Sequence, residues 1–192
     1  LPRAFSRFTD THAYISPKNN IIVVNSSSRG KAEDLLALLR KCLGTLPVTS
    51  FSPDRAPDEI MTEWVTDKTI DDKFQVGMEA ELRALGDDGA IIRCKNQDLD
   101  SDEMKIHFDA EKYVTKLALE WDETLSFVVC DDLSVKRLKF FDVIYEQNDD
   151  IPADDIIGKL DADFALMAGE LNRFIIDLVA MFGLAPAQYL ED

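Results

Sequence analysis

The chain of 192 residues is 46% hydrophobic and 30% charged, with thirty-seven Asp and Glu against twenty-one Lys and Arg for a net charge of −16. That is enough apolar material for a packed core, but no apolar run approaches the roughly 20 residues of a membrane helix, and no basic, apolar and small-residue leader pattern is present, so the expected location is cytoplasmic. Cys42, Cys94 and Cys130 are widely spaced with no CxxC pair, which argues against a disulfide framework and for reduced thiols without chemistry of their own.

In chain order, His12 to Ser16 and Ile21 to Ser26 are β-prone runs around the turn formers Pro17-Lys18-Asn19-Asn20, a hairpin pattern. Lys31 to Leu43 sets Leu35, Leu38, Leu39, Cys42 and Leu43 on one helical stripe, and Gly44 stands where a C-terminal cap belongs. Leu46 to Phe51 reads as a strand; Pro57 suits the first turn of a helix running through Glu63-Trp64-Val65; Asp67 to Lys73 reads as a polar loop. Residues 74 to 85 mix a β-like start with the helix formers Met78 to Leu82, and either state is open. Ala90 to Lys95 is a strand candidate, and Asp100-Ser101-Asp102-Glu103 has capping-box spacing for a short helix to about Ala110. Lys112 to Trp121, Leu125 to Cys130 and Val135 to Phe141 follow as strands joined by acidic turns, an antiparallel meander. From Asp161 to Phe182, Phe164, Met167, Leu171, Phe174, Leu178 and Met181 recur at steps of three and four, an amphipathic helix whose stripe serves either the core or an oligomer interface. The expected class is α+β, a largely antiparallel sheet with flanking helices and a C-terminal helix. Residues 1–150 form the sheet-containing region, and 151–192 an acidic helical region that need not be an independent domain.

Charge is unevenly distributed: residues 1–48 have net charge +4, and residues 49–140 and 141–192 have −10 each. Segregation of this kind can build a local positive field that the net charge conceals. Strand alternation sets Lys112, Val114, Lys116, Ala118 and Glu120 against Tyr113, Thr115, Leu117, Leu119 and Trp121. Arg137 and Lys139 share a face, as do Arg93 and Lys95. In one sheet, Arg93, Lys95, Lys112, Lys116, Arg137 and Lys139 would form a basic face for phosphates, with Arg29 and Lys31 a second basic group at the first long helix. Equally, each base is an ordinary solvated position of a half-buried strand. No zinc-finger, leucine-zipper, RNA-binding or Gly-rich phosphate motif accompanies them, so binding would be independent of base sequence.

His12 and His107 are far apart and lack the context of a catalytic base, and Asp98 to Asp102 begins like a calcium loop but has Glu103 where Gly is needed. Asp131-Asp132 reads as a turn. The expectation is no catalytic set, no metal and no cofactor. A nuclease built on the aspartates and an acidic protein-interaction module stand as the alternatives to a DNA-binding protein.

Collinear segments carry a more specific signal. Leu1-Pro2-Arg3-Ala4-Phe5-Ser6-Arg7-Phe8, Lys31-Ala32-Glu33-Asp34, Leu43-Gly44-Thr45-Leu46-Pro47-Val48, Thr62-Glu63-Trp64-Val65, Gln97-Asp98-Leu99, Val114 to Leu119, Cys130-Asp131-Asp132, Lys136-Arg137-Leu138-Lys139-Phe140, Gln147-Asn148 and Gly169-Glu170-Leu171 together resemble the RdgC family across essentially the whole chain. The resemblance implies a C-terminal two thirds of a longer protein and half of a ring-shaped homodimer. Such a ring encircles DNA, double-stranded DNA foremost, with little sequence preference, restrains RecA-type strand exchange and has no enzyme activity. It further implies a nucleoid-associated location and no membrane. Phe5, flanked by Arg3 and Arg7, is the candidate aromatic anchor of a subunit contact with Gln97 as a polar partner; Phe164 and Leu171 are added from the C-terminal stripe.

Overall fold

The computed structural model describes residues 9–86, 89–148, 151–152 and 154–183, and their contacts fall into two units, one ending at Ser50 and one starting at Phe51. In the first unit β1 (Ala13–Ser16) pairs antiparallel with β2 (Ile21–Val24), Ser16 opposite Ile21. Asn20 takes the left-handed conformation the reversal needs, at φ 56°. Helix α1 (Arg29–Leu43) ends on Gly44 at φ 80°, a positive φ that glycine adopts without a side-chain clash. The strand expected over 46–51 is absent from the ladders: the segment is irregular, and Val48 N–H donates to the Leu46 carbonyl at 2.9 Å. Pro47 has no N–H to give a ladder, and β-prone residues become a strand only where an edge accepts them.

The second unit runs α2 (Pro57–Thr66), β3 (Phe74–Ala84), β4 (Ile91–Lys95), α3 (Asp102–Asp109), β5 (Lys112–Trp121), β6 (Leu125–Cys130), β7 (Val135–Phe140), α4 (Asp142–Tyr145), a 3-10 turn Glu146–Asn148, and α5 (Ile156–Met181). Its sheet has the order β4-β3-β5-β6-β7, antiparallel throughout. The open segment 74–85 is thus a strand next to the centre, because β4 and β5 pair with both its edges; tertiary pairing overrides the helix propensity of Met78 to Leu82.

One face of this sheet is core. Leu82, Val114, Leu117, Leu119, Trp121, Leu125, Phe127 and Val129 are at most 2% exposed and pack with Met61 and Trp64 of α2, Met104 of α3, and Phe174 and Leu178 of α5. Each such side chain taken out of water stabilises by roughly 1.5–3 kcal/mol. Phe174 sits edge-on to both Phe127, at 4.7 Å between ring centres, and Trp121, at 5.7 Å. A polar clasp fixes the same helix: Asp177 accepts from the Trp121 indole N–H at 3.1 Å and from Lys73 at 2.9 and 3.0 Å, while the Arg173 guanidinium lies 5.3 Å from the Trp121 ring centre. Helix α5 starts five residues ahead of the expected Asp161, because the Asp155 carboxylate accepts the Gly158 N–H at 2.9 Å and caps the helix there. The region boundary expected at residue 150 falls inside the second unit, whose sheet α5 covers. Among the described residues no helix is long and apolar enough to cross a membrane.

Candidate nucleic-acid interface

Helices cover one face of the five-stranded sheet; the side chains of the other are set by register. In the row across β4, β3, β5 and β6, Arg93 lies opposite Glu81, Glu81 opposite Lys116, and Lys116 opposite Cys130. Neighbouring rows hold Lys95 opposite Glu79, and Ile91, Arg83 and Tyr113 in line. Toward β7, Ala118, Val128 and Lys136 line up, as do Glu120, Ser126 and Lys139. The strands therefore present seven cations, Arg83, Arg93, Lys95, Lys116, Lys136, Arg137 and Lys139, and three carboxylates, Glu79, Glu81 and Glu120, on one face.

A bulge organises its centre. Glu81 pairs with Lys116 but Leu82 pairs with Val114, so Thr115 is an extra residue in β5. Thr115 and Lys116 both turn toward Glu81: the Lys116 ammonium donates to Glu81 Oε1 at 2.8 Å, and the Thr115 hydroxyl donates to the Glu81 carbonyl at 3.2 Å. Arg93 Nε donates to Glu81 Oε2 at 2.7 Å. The Val114 N–H at the bulge is taken by the Thr62 hydroxyl of α2 at 2.9 Å. The Glu81 side chain is only 8% exposed. Burial works to raise its pKa, but the hydrogen bonds from Lys116 and Arg93 outweigh burial and hold it below the usual carboxylate range.

A second carboxylate spans the face. Arg137 of β7 donates through both terminal nitrogens to Glu79 of β3, at 2.8 and 3.1 Å. Those strands are three spacings apart, about 14 Å along a flat sheet. The contact exists because the sheet curls and this face is concave; Ala118 and Val128 are the small residues in the row between. Three register shifts, at Val76/Ala80, Glu81/Leu82 and Ser126/Val128, supply the local twist that curls a sheet. Gly77 belongs to the first: a Cβ there would lie 3.1 Å from the Ala118 carbonyl oxygen. The Arg137 guanidinium holds the Glu79 carboxyl below its ordinary range, against a smaller opposing effect of burial, and Lys95 adds to the lowering. Val128 and Cys130, 7% and 1% exposed, line the floor of this face.

The structure thus brings together Arg93, Lys95, Lys116, Arg137 and Lys139 of the expected basic face, and corrects the rest. The bulge at Thr115 inverts the alternation on its far side, so Lys112, opposite Ala84, shares the face of Val114 and Leu82 rather than that of Lys116. Three of the expected cations are not free: Arg93 and Lys116 share Glu81, and Arg137 holds Glu79. Arg29, which pairs with Glu33, and Lys31 lie in α1 of the first unit. Sequence reasoning missed Arg83, inside the segment left open, and Lys136, which strict alternation put on the far side of Arg137. Among the described residues no three His, Cys, Asp or Glu side chains group closely enough to hold a metal ion.

Of the expected subunit-contact residues, Phe5 lies outside the described residues. Gln97 is half-buried and donates to the Ser101 hydroxyl at 3.0 Å, at the start of α3. Leu171 packs against the core. Phe164 is 47% exposed and lines an apolar groove of about 210 Å³ with Phe140, Ile144, Tyr145, Leu160 and Met167.

The chain matches, over residues 1–185, the family model described as "Putative exonuclease, RdgC". It is 71% identical over 191 residues to the recombination-associated protein RdgC of Colwellia psychrerythraea, covering 100% of this chain and 62% of that protein. The proteins of the same name from Aeromonas hydrophila and Salmonella paratyphi B are 53% and 50% identical over 183 residues, each covering 95% of this chain and 60% of the relative. The chain spans about three fifths of the length of these relatives. With a match along nearly its whole length to that family and to these recombination-associated proteins, the chain belongs to the RdgC family.

Proposed function

We propose that the protein binds double-stranded DNA without sequence preference through the concave polar face of its five-stranded sheet, acting in recombination as a homodimeric ring that restrains RecA-type strand exchange. It does so without enzymatic activity and at the nucleoid. One observation carries the reading: seven cations against three carboxylates on one curled face, in a chain whose total charge is −16. A concave low-dielectric wall of one net sign concentrates its field where a polyanion would lie. Lys and Arg on strands meet phosphates and carry no base code. The family name supports recombination as the setting, and the exposed groove at Phe164 supplies apolar surface for a second copy.

The test is anisotropy of labelled duplexes of two unrelated sequences over a salt series. Four to seven neutralised phosphates give a log-log slope of about −4 to −6, the same for both sequences. Lys139→Glu with Arg83→Glu weakens binding at least tenfold. A slope near zero, or affinity unchanged by the double reversal, overturns the assignment and leaves an acidic module that acts on recombination proteins. Conversion of supercoiled plasmid in magnesium buffer would replace it with a nuclease reading. Light scattering of the full-length protein at one protomer's mass would remove the ring.

A further inference from the structure

We infer that Glu79 is an internal substitute for a nucleic-acid phosphate: it occupies a phosphate subsite formed by Arg137 with Lys95 beside it, and a backbone phosphate displaces it on binding. The inference rests on the reading that this face meets DNA.

The two ion-paired carboxylates of the concave face, Glu81 and Glu79, differ in how firmly they are held. Glu81 is 8% exposed, takes charged hydrogen bonds from two strands and stands beside the buried Thr115. Removing it would strand cations over a buried site, so it is a fixed counter-ion. Glu79 is 34% exposed and its partner Arg137 56%. An ion pair so open to solvent contributes little and separates cheaply. It also does not tie neighbouring strands, since β7 and β3 are separated by β6 and β5.

The geometry at Arg137 is that of an anion receptor. Two parallel N–H donors meet two oxygens at 2.8 and 3.1 Å, a fork that fits a phosphate as well as a carboxylate. Lys95 lies directly opposite Glu79 on β4, so a second cation faces the same anion. Arg137 itself sits in a left-handed backbone conformation, φ 53°, at the bulge where β7 has two residues against Phe127 alone. The bulge leaves the Arg137 guanidinium on the concave face with Lys136 and Lys139, where Glu79 meets it. When Glu79 swings aside, Arg137 and Lys95 remain, aimed into the concavity.

Glu79→Gln and Arg137→Gln, singly and together, are measured with labelled duplex by anisotropy, with Glu120→Gln as a carboxylate on the same face with no ion pair to a described residue. Thermal melts confirm folding. Glu79→Gln tightens binding about fivefold, equivalent to ~1 kcal/mol; Glu120→Gln tightens it less than twofold; and in the Arg137→Gln background the gain from Glu79→Gln falls below twofold. Equal gains from Glu79→Gln and Glu120→Gln, or a gain that persists without Arg137, would mean bulk charge alone and overturn the subsite. Calorimetry with inorganic pyrophosphate separates this failure from failure of the DNA reading. Tighter pyrophosphate binding by Glu79→Gln, lost with Arg137→Gln, supports the subsite even if wild type ignores duplex DNA, and no difference among the variants removes it.

Discussion

Replacing Thr62 by Val tests whether helix α2 sets the pleat of the concave face. The Thr62 hydroxyl accepts the Val114 N–H at 2.9 Å and donates to the Asp58 carbonyl at 2.6 Å, one turn back in the same helix. Valine keeps the shape and removes the acceptor. The lost donation within the helix matters little, because Asp58 can still accept a backbone bond. The Val114 N–H is donated to Thr62 rather than to its β3 partner Leu82, and the Val114 residue is 0% exposed, so water cannot replace the lost acceptor. A buried N–H left without a partner costs about 1–3 kcal/mol, so urea unfolding followed by Trp fluorescence should lose that much stability with an unchanged m-value. Thr62→Ser, which keeps the oxygen, should lose less than half as much. Because the same bulge turns Thr115 and Lys116 toward Glu81, Thr62→Val should also weaken duplex binding severalfold under conditions where it is fully folded. If Thr62→Val unfolds within about 0.5 kcal/mol of wild type, the helix does not pin the bulge, and the face is set by the strands alone.

Phe174→Ala should destabilise by about 3–5 kcal/mol, since it opens a cavity between Trp121 and Phe127 that neither ring can fill from its own strand; chemical denaturation measures it. Glu81 has a folded-state pKa below its unfolded one, so its stabilisation is complete above the unfolded value and is lost as pH falls through the folded value. Glu81→Gln should therefore flatten the acid limb of a stability-against-pH curve below pH ~4.5, and an unchanged limb would show that the ion cluster does not form. Arg137→Gly should leave stability within about 1 kcal/mol of wild type, because relief of the left-handed strain offsets loss of an exposed ion pair, while duplex affinity falls; a fall in both would mean that the residue is structural.

Alternation made β4 to β7 legible, since Leu117, Leu119 and Trp121 announce a buried face and Arg93 and Lys95 a wet one. Two things were not legible, and both arise between strands. The stretch from Met78 to Leu82 has helix-forming residues, and only pairing with β4 and β5 makes it a strand; with the open segment 74–85 went Glu79, Glu81 and Arg83, two of the three carboxylates and one of the seven cations of the face. Bulges likewise form between strands: nothing in Tyr113-Val114-Thr115-Lys116 says that Thr115 is the extra residue, because the contacts made there, Val114 with Thr62 and with Leu82, lie outside the segment. One extra residue in each strand was enough: the bulge at Thr115 moves Lys112 to the other face, and the bulge at Arg137 brings Lys136 onto this one. The α5 start is encoded by Asp155 as an N-cap, whereas the apolar stripe, whose core-facing residues begin at Met167, marks only the later turns.

On the proposed reading, how so acidic a chain would meet a polyanion is a question of distance. Residues 51–192 hold fourteen Lys and Arg against thirty-four Asp and Glu, a net of −20, yet α5 lies on the core side of the sheet and the cations on the other. Outward carboxylates of α5 such as the exposed Asp161 are therefore separated from the concave face by the sheet and by the body of the helix, itself about 10 Å across. At 0.15 M salt the screening length is about 8 Å, and that separation isolates the local positive field; at 0.01 M it is about 30 Å, and the whole negative charge is felt at the face. Duplex affinity should accordingly rise as salt falls toward about 0.1 M, as ion release requires, and then level off or decline below it, where a uniformly basic protein would keep tightening. A straight log-log line down to 0.01 M would show that the bound phosphates do not sense the acidic half, and that the cations meeting DNA lie elsewhere than across the sheet from α5.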